Sequence, residues 1–249
     1  SQREAVEAIG GPLLIIAGPG SGKTRVITHR IAYLIQMRGI SNYRILAVTF
    51  TNKAASEMKN RLVGLVGAQA NEITASTFHS FCAQVLRRDG KYVGLDPNFT
   101  IFDQEDQLAL VKRAMEEAEL DPQQYSRRSV MGIISNAKSN LIDPHNLALR
   151  EGSYFEERAS RVYMKYEDLL GRNNGVDFDD LLMKAVQLLQ AQPDVLNKYQ
   201  QRYEHILIDE FQDTNFAQYA LAKLIAIGHR NICVVGDPDQ SIYSWRNAD

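Results

Sequence analysis

Five short apolar runs punctuate the chain: LLIIAG (13–18), ILAVTF (45–50), EITAST (72–77), HILIDE (205–210) and NICVVGD (231–237). Runs this short, apolar without alternation, fit strands of a parallel sheet covered on both faces. Between the early runs, apolar positions recur at helical spacing. Ile27, Ile31, Leu34 and Ile35 fall on one helix face, as do Ala55, Met58 and Leu62. Strand followed by helix, repeated, predicts an α/β fold with right-handed crossovers.

The middle of the chain has a different rhythm. From Gln104 to Arg172 no strand is predicted. Residues 103–120, 126–142 and 146–170 read as amphipathic helices, with turn signals at Asp-Pro 121–122, Asp-Pro 143–144 and GRNNG 171–175. A helical block between α/β segments predicts an insertion. The expected division is an α/β domain over 1–95 and 176–249, interrupted by a helical subdomain over 96–175.

Composition narrows the classes of function. The 249 residues carry a formal net charge of −2, so a nucleic-acid site must be local rather than a general basic surface. The basic clusters at 87–91, 126–128 and 59–61 read first as solvated helix faces. Cys82 and Cys233 sit far apart in apolar surroundings, which fits buried thiols in a reducing, cytoplasmic setting. No apolar run approaches the ~20 residues that span a bilayer, so no membrane partner is expected. The chain opens on Ser1 and stops just after a motif-like stretch. It therefore reads as a piece of a longer protein.

The stretch AGPGSGKTR (17–25) follows the first apolar run and precedes a helical pattern. Polyphosphate must approach backbone N–H groups closely, and glycine clears the side chains that would block it. The helix that follows turns its first amides toward an anion. Lys23 can reach the β- and γ-phosphates, and the Thr24 hydroxyl can serve Mg²⁺. Ala17, Gly18, Pro19, Gly20, Ser21, Gly22, Lys23, Thr24 and Arg25 are thus the candidate ATP loop. Ala17 stands where the strict pattern has glycine.

A phosphate loop needs an acidic partner at a strand tip. Asp209 and Glu210 end the run ILIDE. Asp209 would hold the metal, and Glu210 would orient and deprotonate the attacking water. The bland alternative is a helix-capping pair. A second acidic group, DFDD (177–180), is open to two readings, metal ligands or a capped helix. Asp177 and Asp180 have N-cap and N3 spacing, which favours capping. After the last strand, Gln240 would sit near the γ-phosphate, and Tyr243, Trp245 and Arg246 form a kit for stacking single-stranded bases. For the single tryptophan a core role is the alternative.

Together these stretches resemble the UvrD/Rep/PcrA family of superfamily 1A DNA helicases, and nearly the whole chain is covered. QREAV (2–6) is similar to the family's Q motif, which makes Gln2 the adenine reader. TFTNKAA (49–55) and TFHSFC (77–82) resemble motifs that contact single-stranded DNA, IDEFQDTN (208–215) resembles motif II, and GDPDQSIYSWRNAD (236–249) motif III. The resemblance implies a RecA-like P-loop NTPase sheet with an inserted all-helical subdomain, ATP and Mg²⁺ as cofactors, and 3′–5′ tracking along single-stranded and partially duplex DNA. Phe50, Thr51, Asn52, Thr77, His79, Tyr243, Trp245 and Arg246 would line the DNA track. His79 could equally be structural. The family's second RecA-like domain is missing here, along with the arginines that contribute about 10³–10⁵ in rate in comparable systems. It is expected in cis in the intact protein, and the fragment is expected to be a monomer with weak activity at most. Two rivals remain at this point: a P-loop NTPase that never touches nucleic acid, and a non-catalytic DNA-binding fragment.

Overall fold

The computed structural model describes residues 2–121, 124–150, 154–237 and 239. The chain divides into two compact units. One runs up to Phe81 and resumes at Leu189, and the other spans Cys82–Leu188. The changes of unit come inside two helices, somewhat outside the boundaries expected at 95 and 175.

The first unit is built on the five apolar runs. They form β1 (Leu13–Ile16), β2 (Ile45–Thr49), β3 (Thr74–Thr77), then β6 (His205–Ile208) and β7 (Ile232–Gly236). All pairings are parallel, in the order β1-β7-β6-β2-β3. Parallel order puts every carboxyl end on one edge of the sheet, the edge where α/β folds bind ligands. Helices α1 (Gln2–Glu7), α2 (Lys23–Gln36), α3 (Asn52–Val66), α10 (Pro193–Arg202) and α11 (Phe216–Ala226) belong to this unit.

The core follows from the spacing. Ile27, Ile31 and Leu34 of α2 and Met58 and Leu62 of α3 pack with Ala47, Leu207 and Val235 on one sheet face. Every β2 residue is buried. One expectation needs correcting: the sheet is not covered on both faces throughout. β1 is an edge strand, and its alternate residues Leu14 and Ile16 are 62% and 67% exposed.

The second unit is helical, as its rhythm predicted. It includes most of α4 (Phe78–Asp89) and α9 (Phe178–Ala191), which change units partway. Between them lie α5 (Gln104–Glu117), α6 (Arg127–Ser139), α7 (Pro144–Ala148) and α8 (Tyr154–Arg172). Polar side chains start these helices. Asp103 and Asp106 form a reciprocal capping box on α5, Ser126 caps α6, and Asp143 caps α7. Val111, Met115, Ile134, Val162, Tyr163 and Tyr166 form the shared core. The stretch read as one helix over 146–170 is two, because α7 ends at Ala148. A short parallel pair, β4 (Thr100–Ile101) with β5 (Gly175–Val176), brackets the helices. Two residues per strand give no periodic signal, so sequence reading missed it.

The acidic stretch 177–180 is a capped helix start. Asp180 N–H donates to Asp177 Oδ1 at 2.7 Å, and Asp177 N–H donates to Asp180 Oδ2 at 3.1 Å. The same carboxylates also close on the fully buried Lys138. Its ammonium lies 2.6 Å from Glu167, 2.7 Å from Asp177 and 2.9 Å from Asp180. Burial alone would lower the Lys138 pKa, but these three charges raise it well above its usual value. Asp177 is pushed up to about 6, first by burial and then by the charge of Asp180.

Candidate nucleotide site and nucleic-acid interface

The glycine-rich loop leaves the tip of β1 and opens α2. Ala17 N–H still donates to Gly236 O, 3.1 Å away on β7, so Ala17 only finishes the strand. Gly20 and Gly22 take φ of 71° and 85°, a left-handed region that favours glycine. Gly18, Pro19 and Gly20 are exposed, and added Cβ atoms at Gly18 or Gly20 would meet nothing within 4 Å. The Ser21 hydroxyl donates to Gly18 O at 2.6 Å and holds the loop closed on itself. Gln2, on α1, donates to Ser21 O at 2.7 Å, which brings the predicted base reader against the loop. Arg25 is exposed on the first turn of α2.

Lys23 is the first residue of α2 and only 8% exposed. Its ammonium faces Glu210 at 3.4 Å and Asp237 at 3.8 Å. Neither contact is a hydrogen bond, and the buried nitrogen finds no hydrogen-bond partner among the described residues. A buried ammonium left in this state is costly. The site is thus shaped for an anion, and phosphate oxygens fit that gap.

A candidate metal position adjoins it. Thr24 Oγ1 donates to Asp209 Oδ2 at 2.9 Å, across the tips of α2 and β6. Both are hard oxygen donors of the kind Mg²⁺ takes alongside substrate phosphates. Burial raises the Asp209 pKa, and the Thr24 hydrogen bond offsets only part of that. Burial also raises Asp213, with the charge of Glu210 adding to it. Asp209, Glu210, Asp213 and Asp237 outnumber Lys23, a balance that a divalent cation would correct. The described residues hold no group of three or more His, Cys, Asp or Glu side chains fit for a metal by themselves. The phosphates would have to complete its shell.

Glu210 follows Asp209 with φ 51° and ψ 46°, a left-handed conformation uncommon for a residue with a side chain. Sequence reading missed two neighbours. Asp237, at the tip of β7, faces Lys23. Gln212 donates to Glu210 and accepts from the backbone of Asp237. The signal for Gln212 was its position two residues after a strand-tip carboxylate.

Five of the predicted DNA residues are described, and they fall on the other half of the same sheet edge. Phe50, Thr51 and Asn52 leave the tip of β2, and Thr77 and His79 leave β3, whose Thr77 pairs with Thr49. β1 and β3 are four strand spacings apart, roughly 19 Å. Thr51 and Asn52 are exposed, while Phe50 and His79 are half-buried. The two threonines also have local work: Thr51 Oγ1 accepts from Ala54 N, and Thr77 Oγ1 accepts from Ser80 N. Gln240, Tyr243, Trp245 and Arg246 lie outside the described residues. Among the basic clusters, Arg87 has a structural role, donating to Pro97 O and Phe99 O and stacking over Phe99. No helix among the described residues is long and apolar enough to cross a membrane.

Comparison with known proteins shows the family. The chain is 49% identical over 248 residues to the ATP-dependent DNA helicase PcrA of Bacillus subtilis, and equally to that of Staphylococcus aureus strain Mu50. It is 49% identical over 249 residues to the protein of the same name from Leuconostoc citreum. In each case the whole of this chain is covered, but only 34%, 34% and 33% of the relative. The chain thus spans about a third of the length of the curated relatives it matches. Residues 1–249 match the family described as UvrD/REP helicase N-terminal domain, and the chain belongs to that family.

Proposed function

We propose that this chain is the ATP-binding half of a DNA helicase motor, moving 3′ to 5′ on single-stranded DNA and opening duplex ahead of it. The observation that carries the reading is the Lys23 ammonium, buried without a hydrogen-bond partner among the described residues, beside the Thr24–Asp209 pair. In this reading residues 1–95 and 176–249 form RecA-like domain 1A, and 96–175 the inserted helical subdomain 1B. The loop 17–25 cradles the triphosphate, Gln2 reads adenine, and Lys23 balances the β- and γ-phosphates. Thr24 and Asp209 hold Mg²⁺, which when bound neutralises charge between those phosphates. Glu210 orients the water and accepts its proton. Phe50, Thr51, Asn52, Thr77, His79, Tyr243, Trp245 and Arg246 grip the strand, with Trp245 stacking on bases. A second RecA-like domain in cis closes the cleft and brings its arginines, so the 249-residue chain alone is a monomer that binds nucleotide and DNA without unwinding.

In this reading 236–246 is the coupling element, with Gln240 serving the phosphate and Trp245 the bases. Lys23→Ala should abolish binding of a fluorescent ATP analogue, and unchanged affinity would remove the phosphate-loop assignment. Titration with oligo-dT should quench Trp245 fluorescence. No quench would favour an NTPase without a nucleic-acid substrate. In the intact protein, Gln240→Ala should spare DNA binding and weaken DNA stimulation of ATP hydrolysis.

A further inference from the structure

Gln212 lies in the short 3₁₀ turn Phe211–Asp213 that follows β6. Its amide joins two elements. Nε2 donates to Glu210 Oε2 at 2.8 Å, and Oε1 accepts from the backbone N–H of Asp237 at 3.0 Å. Only a side chain with both a donor and an acceptor can make this pair of contacts. The β7 tip makes room for it. A Cβ on Gly236 would come 2.8 Å from Gln212 Oε1 and 3.3 Å from Gln212 N. The charged groups around the Glu210 carboxylate are Lys23 from α2, Asp209 beside it, Asp213 from the same turn and, through Lys23, Asp237 from β7. Lys23 and Gln212 both meet the same oxygen, Oε2.

We propose that Gln212 is a positioning residue for nucleotide hydrolysis, fixing the Glu210 carboxylate and tying its setting to the tip of β7. The proposal rests on the ATPase reading above. Motion at the β7 tip, where the segment 236–246 begins, then reaches Glu210 through one amide. The proton acceptor is set by the strand that precedes, in sequence, the residues assigned to DNA.

The test uses the longer protein that carries this chain, with kcat and KM for ATP measured in the presence of single-stranded DNA. Amide exchange at Asp237 is followed in parallel. Gln212→Met removes both hydrogen bonds. It should lower kcat by about tenfold, leave KM within about twofold and speed exchange at Asp237. Gln212→Glu keeps an acceptor for the Asp237 amide but sets carboxylate against carboxylate at Glu210. It should leave exchange slow and still lower kcat by about tenfold. That split is what a merely structural role would not produce. Wild-type kcat in Gln212→Glu, or a rise in KM without loss of kcat, overturns the proposal. If Gln212→Met loses its cooperative thermal transition, Gln212→Glu alone decides. Absence of hydrolysis in the wild type, or an unchanged rate in Lys23→Ala, overturns the ATPase reading and the proposal with it. Wild-type hydrolysis that Lys23→Ala abolishes, with unaffected Gln212 variants, overturns the proposal alone.

Discussion

Replacing Lys138 by methionine keeps the length of the side chain and removes the charge, and the helical unit should lose most of its stability. Lys138 is fully buried and touches three carboxylates within 2.9 Å. With Lys184 nearby at 3.5 Å from Glu167, two cations face three anions. Methionine leaves one cation against three anions, two of them, Asp177 and Asp180, almost fully buried. Removing one partner of a buried ion pair costs about 3–5 kcal/mol. The variant can relieve the strain by taking up a proton, because the native carboxylates then titrate above their unfolded values. A folded carboxylate with a raised pKa binds more protons than the unfolded chain, so stability falls as pH rises through that interval. Asp177 already stands at about 6 with Lys138 in place. The variant's deficit should therefore be about 2 kcal/mol smaller at pH 6 than at pH 7.5, at about 1.4 kcal/mol per proton per pH unit. Hydrogen exchange across α6 and α8 reads the local free energy. Adding Glu167→Gln, which removes one anion, should restore about 1–2 kcal/mol. Wild-type protection in Lys138→Met at pH 7.5, or a deficit that grows as pH falls, would refute the reasoning.

Gly175→Ala sets a Cβ 2.6 Å from the Phe102 ring, so the ring must move and the urea midpoint of the helical unit should drop by an equivalent of about 1–3 kcal/mol. Burial, followed by the neighbouring charges of His229 and Arg30, holds His205 below its usual range, and burial holds His229 there as well. A depressed imidazole loses stability as pH falls through the unfolded value of about 6.5, so the thermal midpoint should decline from pH 7.5 to 5.5 and His205→Gln should flatten the slope. Burial pushes the Cys233 thiol up to about 11 and Cys82 higher still, so neither should react with a thiol reagent at pH 8 until the chain is unfolded in urea.

What could be read from the chain was local or periodic. The candidate phosphate loop stands out because glycine, lysine and threonine recur there at the spacing that phosphate binding asks for. Asp209 and Glu210 were legible from their place at the end of an apolar run, and Asp177 and Asp180 from capping spacing. What stayed hidden depends on contacts distant in sequence. Lys138 is 39 residues from Asp177, and nothing near it in the chain marks it as buried. Pairing of Thr100 with Gly175 involves too few residues to leave a pattern. The open face of β1 was invisible because an edge strand and a central strand can share one composition. Gln212 looked like filler until the fold brought Asp237 beside it.

The left-handed backbone at Glu210 sets two selective pressures against each other. A non-glycine residue there gives up about 1–2 kcal/mol that glycine would recover. A laboratory screen that rewards only heat resistance should therefore drift toward Gly at this codon and deliver sturdier protein that, on the ATPase reading, no longer hydrolyses nucleotide. Wherever the carboxylate persists under such a screen, the role proposed for it in hydrolysis accounts for its retention.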